Sequence, residues 1–81
     1  MAALSDEELA GRHPATTGML RWFEAGHLPD HLRAVSEPVG ELAREMVAVL
    51  PDGPELTTGL RKLLEAKDCL VRAAIEGNGP R

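Results

Sequence analysis

The segment VLPDGPELTTGLRKL, Val49 to Leu63, constrains the fold more than any other part of the chain. Downstream, Leu56, Leu60, Leu63, Leu64, Val71, Ala74 and Ile75 recur at spacings of three and four. That is the apolar stripe of an amphipathic helix. EGNGPR stops it at about Glu76, with Gly77 in the usual position after a helix end. At its start Asp52 is a suitable N-cap, Glu55 completes a capping box, and Pro54 falls in the first turn, where a missing N–H costs nothing. Upstream, Leu28, Leu32, Val35, Val39, Leu42, Ala43, Met46, Val47 and Leu50 mark a second stripe, starting near Pro29 or Asp30. Pro38 lies inside it and predicts a bend, or a division into two pieces with Ser36 capping the second. Two helices joined by so short a link must return antiparallel. The expected fold is all-α: an antiparallel helical hairpin over residues 28–81 behind an N-terminal arm, residues 1–27.

The arm is less regular. Ser5 with Glu8 is a weak capping box for one or two turns, which GRHPA interrupts. Thr16 or Thr17 is placed to cap a short helix running through Met19, Leu20 and Phe23 and ending near Gly26. The chain contains no internal repeat and no low-complexity tract.

Eighty-one residues make one small domain whose single core is marginal, and such folds need disulfides, a metal or self-association. The lone Cys69 excludes an intramolecular disulfide and suits a reducing cytoplasm. Asp6, Glu7 and Glu8 end the apolar start of the chain too early for a signal peptide. No apolar run approaches the roughly 20 residues of a membrane span. These features predict a soluble intracellular protein with no membrane partner. The formal charge of −4 speaks against duplex nucleic acid, which needs a basic face. Small residues, Ala34, Ala48, Ala66, Ala73, Gly40 and Gly59, sit off the hairpin seam. A helix-interior Gly costs about 1 kcal/mol relative to Ala. Close approach of another backbone would explain its presence, so a homo-oligomer is expected; a plain exposed surface is the other reading.

RWFEAGHLPDHL, Arg21 to Leu32, holds the only Trp, the only Phe and two of the three His. Glu24, His27 and His31 have metal-ligand spacing on one helix, but Gly26 and Pro29 interrupt that helix, so no metal is expected. No nucleophile elbow, Cys–His context or phosphate loop is present, and no catalytic residues, enzyme activity or cofactor are expected. Thr57, Thr58 and Arg61 fall in the first turns of the last helix, where free N–H groups favour anions. An ordinary polar helix face fits them too. Arg44, Lys67 and Arg72 read as surface partners of neighbouring acids. Trp22 and Phe23 are adjacent, so on a helix they point about 100° apart. One packs into the core and the other is partly available for stacking on a base, though pattern alone favours a core anchor.

The segment LPDGPELTTGLRKLLEAKDCLVRAAIEG resembles the C-terminal half of small phage proteins that defeat CBASS immunity by sequestering its cyclic nucleotide signals. The Thoeris anti-defence sponge shares the same helical hairpin. The resemblance rests on Leu50, Pro51, Glu55, Thr58, Leu60, Leu63, Leu64, Glu65, Ala66, Ala73, Ala74 and Ile75. It covers about the last 35 residues well, Leu28 to Val49 more loosely, and not the first 20. It implies a non-catalytic homohexamer of hairpins in the cytoplasm of an infected bacterial host. Members bind cyclic dinucleotides between subunits, and some hold cyclic trinucleotides at separate sites. Carried onto this chain, Trp22 or Phe23 stacks on a base, and Arg21, His27 or Arg33 contacts phosphate. Thr57, Thr58 and Arg61 are then candidates for a second anion site. The alternative is a small helical protein–protein interaction adaptor with no small-molecule ligand.

Overall fold

Asp52 does not cap the helix that follows it. In the computed structural model, which describes residues 6–77, it faces the arm instead, and that choice organises the fold. Four α-helices follow one another: α1, Asp6–Ala10; α2, Pro14–Leu20; α3, Asp30–Val49; and α4, Pro54–Glu76. A 3-10 turn, Arg21–Phe23, extends α2. The described residues contain no strand, so the protein is all-α.

α3 and α4 pack along their length as the hairpin. The 23 residues of α4 rise about 34 Å, and this helix sets the 40 Å long axis of the molecule. α3 begins after Pro29 and ends before Leu50, as its stripe predicts. α4 ends at Glu76, where the Gly77 N–H closes onto the Ala73 carbonyl.

Pro38 does not divide α3, which runs unbroken through it. The N–H that proline lacks would have met the Ala34 carbonyl. Both residues are solvent-exposed, so the freed carbonyl is open to water and the loss is small. Ser36, the expected cap, is fully buried, and its hydroxyl has no hydrogen-bond partner among the described residues. The N-cap position of α4 belongs to Gly53, with no side-chain cap. Thus the Asp52–Glu55 capping box does not form.

The arm differs from expectation at its start. α2 is capped by His13, whose Nδ1 accepts the Ala15 N–H at 3.0 Å. Pro14 opens the helix two residues before Thr16, because its fixed φ suits the first helical position. Thr16 is therefore inside α2 and buried, while the Thr17 hydroxyl turns back to the Pro14 carbonyl. The α-helix stops at Leu20 rather than continuing through Phe23, and the 3-10 turn completes it. Ser5 lies outside the described residues.

One core serves both parts of the chain. Met19, Leu20 and Phe23 from the arm join Ala43 and Val47 of α3 and Leu56 and Leu60 of α4. Phe23 is the largest fully buried side chain, at 1 % exposure. Gly40 accommodates it: a Cβ there would come within 2.9 Å of the Phe23 carbonyl oxygen. This glycine therefore serves a contact inside the chain, not the outer face assigned to it from spacing. Gly59 differs, for nothing lies within 4 Å of its would-be Cβ. Ala34, Ala48, Ala66 and Ala73 are exposed, as expected of residues off the seam.

Candidate functional site

The two ends of the hairpin carry different chemistry. At the loop end, Arg12 spans the turn. Its Nε donates to Asp52 Oδ1 at 3.0 Å, Nη1 to the Val47 carbonyl, and Nη2 to the Leu50 carbonyl at 2.8 Å. These carbonyls belong to the C-terminal end of α3, which lacks intrahelical partners and carries partial negative charge. A guanidinium satisfies both conditions. Asp52 in turn accepts the Thr16 hydroxyl at 2.7 Å and the His13 N–H at 3.0 Å. Those two bonds, chiefly the Thr16 hydroxyl and then the His13 amide, hold the Asp52 carboxyl below the usual range against the opposing effect of desolvation, with Arg12 adding a smaller lowering. A cavity of about 370 Å³ adjoins this knot, lined by His13, Thr16, Asp52, Gly53 and Thr57 among others.

At the opposite end the arm meets the second half of α4. Arg21, Trp22, Glu24, His27 and Leu28 from the arm and turn, with Lys67, Asp68, Val71 and Arg72 from α4, line an open cavity of about 620 Å³. That size lies within the usual range for small-molecule sites. The 3-10 turn decides which aromatic ring reaches it. Phe23 points inward to Gly40, and Trp22 is left 56 % exposed. The Arg21 guanidinium lies 4.8 Å from the indole centroid, a cation–π contact that covers one face of the ring.

Lys67 fixes this geometry from α4. Its side chain is only 12 % exposed, and Nζ donates to the Trp22 carbonyl at 3.1 Å while pairing with Asp68 at 2.9 Å. Arg72 contacts the Cys69 sulfur at 3.2 Å. The arrangement combines an aromatic surface with several cations at a rim. Such a site can stack a planar ring and neutralise an adjacent anion.

The sequence-derived candidates divide accordingly. Arg21, Trp22 and His27 come together at this cavity. Phe23 does not, because it is core. Arg33 is turned to its own helix and pairs with Asp30 near the start of α3. Thr57 is half-buried and donates its hydroxyl to the Gly53 carbonyl, in a cavity where the Asp52 carboxylate opposes an anion. Thr58 and Arg61 are exposed on α4 and line neither of the two cavities.

Lys67 and Arg72 were assigned to surface pairing by spacing alone. They lie about 140° apart around α4, so spacing does not pair them, and only the folded arm makes both part of one cavity lining with Asp68 and Val71. Arg12 carried no motif at all, since its partners lie 35 to 40 residues away. Among the described residues no group of three or more His, Cys, Asp and Glu is arranged to hold a metal ion, and no helix is long and apolar enough to cross a membrane. No protein-family model, curated protein or solved structure matches this chain.

Proposed function

We propose that this protein is a phage anti-defence sponge that binds cyclic di- or trinucleotide immune signals without cleaving them. The observation that carries the reading is the cavity beside Trp22, where an exposed indole stands among Arg21, His27, Lys67 and Arg72. A nucleobase stacks on an indole, with about 1–3 kcal/mol lost per base on its removal. The guanidinium and ammonium groups complement phosphate. The sequence resemblance of the hairpin to CBASS-evading sponges supports the same ligand class. Within this reading the protein works in the cytoplasm of the infected host, starves an immune effector of its signal, and uses no catalytic residue, metal or cofactor.

Self-association belongs to the same proposal. Leu42, Val49, Leu50, Leu70 and Ile75 are exposed, and each leaves apolar surface that a second copy would cover. A homohexamer is the state the resemblance implies. Thr58 and Arg61, exposed one turn apart on α4, are candidates for a second anion site completed only between copies, whereas Thr57 faces the Asp52 carboxylate.

Calorimetric titration against a panel of cyclic di- and trinucleotides tests the ligand, and native mass measurement tests the assembly. Binding of at least one ligand to an oligomer, with the ligand recovered intact, is expected. Absence of binding by a folded oligomer ends the reading. The exposed apolar residues also favour a second reading, a helical adaptor without a small ligand. A monomer that takes up one protein partner at fixed stoichiometry would establish that alternative.

A further inference from the structure

We infer that the cavity beside Trp22 selects a guanine base and that Glu24 is the residue that reads it, an inference resting on the cyclic-nucleotide reading above. Most of the charges that line the cavity already have a neighbour. Asp68 is paired with Lys67, Arg21 lies over the indole, and Arg72 is against Cys69. Glu24, exposed on the arm, lines the same cavity and makes no side-chain hydrogen bond or ion pair with any described residue.

Its backbone, in contrast, is held. Glu24 closes the 3-10 turn in an extended conformation, φ −64° and ψ 132°, with its N–H bonded to the Arg21 carbonyl at 3.3 Å. An unpaired carboxylate two residues from the stacking ring is therefore carried on a defined stretch of chain. In a pocket built for an anion, a carboxylate opposes binding unless the ligand brings it hydrogen-bond donors. Guanine alone among the bases offers two adjacent donors on its Watson–Crick edge, N1–H and the 2-amino group, which match two carboxylate oxygens. Adenine and cytosine set a ring acceptor beside their amino group, and uracil sets its one N–H between two carbonyls. Phosphate goes to the cations, the ring to Trp22, and the base edge to Glu24.

The test is parallel titration of the intact protein with cyclic di-GMP, cyclic di-AMP and cyclic di-IMP, the last keeping N1–H but lacking the 2-amino group. Cyclic di-GMP is expected to bind about ten-fold more tightly than cyclic di-AMP, the scale of one bidentate base contact, with cyclic di-IMP between them. Glu24→Gln is expected to bring the guanine-to-adenine ratio close to one, while circular dichroism shows the fold retained. Equal affinity for the three ligands, or a ratio that Glu24→Gln leaves unchanged, overturns the guanine inference and leaves the sponge reading standing. If no cyclic nucleotide of any base binds, the proposed function fails and this inference fails with it.

Discussion

The two ends of the hairpin use arginine for opposite purposes. At the loop end Arg12 has its donors engaged by the Val47 and Leu50 carbonyls and the Asp52 carboxylate, in a closed knot that ties the arm to the turn. At the far end Arg21 rests on an exposed indole, and Arg72 meets the Cys69 thiol among the described residues. The difference is one of desolvation. A guanidinium that fills its hydrogen bonds inside the protein adds to stability, whereas one left half-satisfied at a cavity rim keeps its capacity for a ligand. One end therefore holds the fold, and the other leaves Arg21, Trp22 and Arg72 exposed. Phe23, packed in the core immediately after Trp22, connects them.

The strongest way to break this comparison is at the adjacent aromatics. Phe23→Ala empties the largest buried side chain in the core and is expected to cost about 3–5 kcal/mol, measured by urea unfolding. On the proposed function, Trp22→Ala, at a side chain already 56 % exposed, is expected to leave helicity and any oligomer intact while weakening cyclic nucleotide binding. Loss of the assembly in Trp22→Ala would show that the ring is structural and that the far end is not a free site.

The glycines sharpen the same contrast at a smaller scale. Gly40→Ala forces a methyl against the Phe23 carbonyl, a backbone atom with little room to yield, and is expected to destabilise by about 1–3 kcal/mol. Gly59→Ala enters open space and is expected to stabilise by about 0.5–1 kcal/mol through helix propensity. The two shifts in urea midpoint should have opposite signs. A stabilised Gly40→Ala would mean that the arm is not pressed against α3 as described.

Arg12→Ala removes the charge-assisted bonds of the knot, and a loss of about 1–2 kcal/mol is expected in the same urea experiment. Proteolysis within the arm should also accelerate, because the arm then lacks its tie to the turn. Arg12→Lys is not expected to restore stability, since one ammonium cannot span three acceptors set on a fork.

The pH response is the smallest effect. The Asp52 carboxyl is depressed in the folded state, so ionised Asp52 contributes stability at pH values above its unfolded range, about 4. That contribution fades as pH falls below this range and is gone once the folded carboxyl is protonated. Asp52→Asn should therefore flatten the acid limb of a thermal stability profile below about pH 4. If both proteins lose stability in parallel across that window, the knot does not depend on the Asp52 charge.

Much of the fold was legible because helices are written in local periodicity. The stripes beginning at Leu28 and Leu56, Pro54 and Gly77 at the helix ends, and the short Pro-Asp-Gly link all act over a few residues. Errors arose where a side chain had a distant competitor for its hydrogen bonds. Asp52 has the right type and position to cap α4, yet Thr16, the His13 amide and Arg12 offer it better partners, and Gly53 takes the cap position. Thr16 lies inside α2 rather than at its cap, and its hydroxyl goes to Asp52. Pro14 was the overlooked local signal for where α2 begins.

The candidate site was half legible. Arg21, Trp22 and His27 stand close together in sequence and in space. Lys67 and Arg72 join them only because the arm folds back along α4, bringing the Trp22 carbonyl to Lys67 across 45 residues. By itself the sequence determined the all-α class, the hairpin and its helix ends, because helix propensity, stripe spacing and terminal residues are local properties. Only the tertiary structure decided that Phe23 packs inside while Trp22 faces out, that Gly40 serves a contact within the chain, and that Arg12 and Asp52 tie the loop end. Each of those outcomes depends on which backbone groups and surfaces meet across the fold, and that pairing is not written in spacing along the chain.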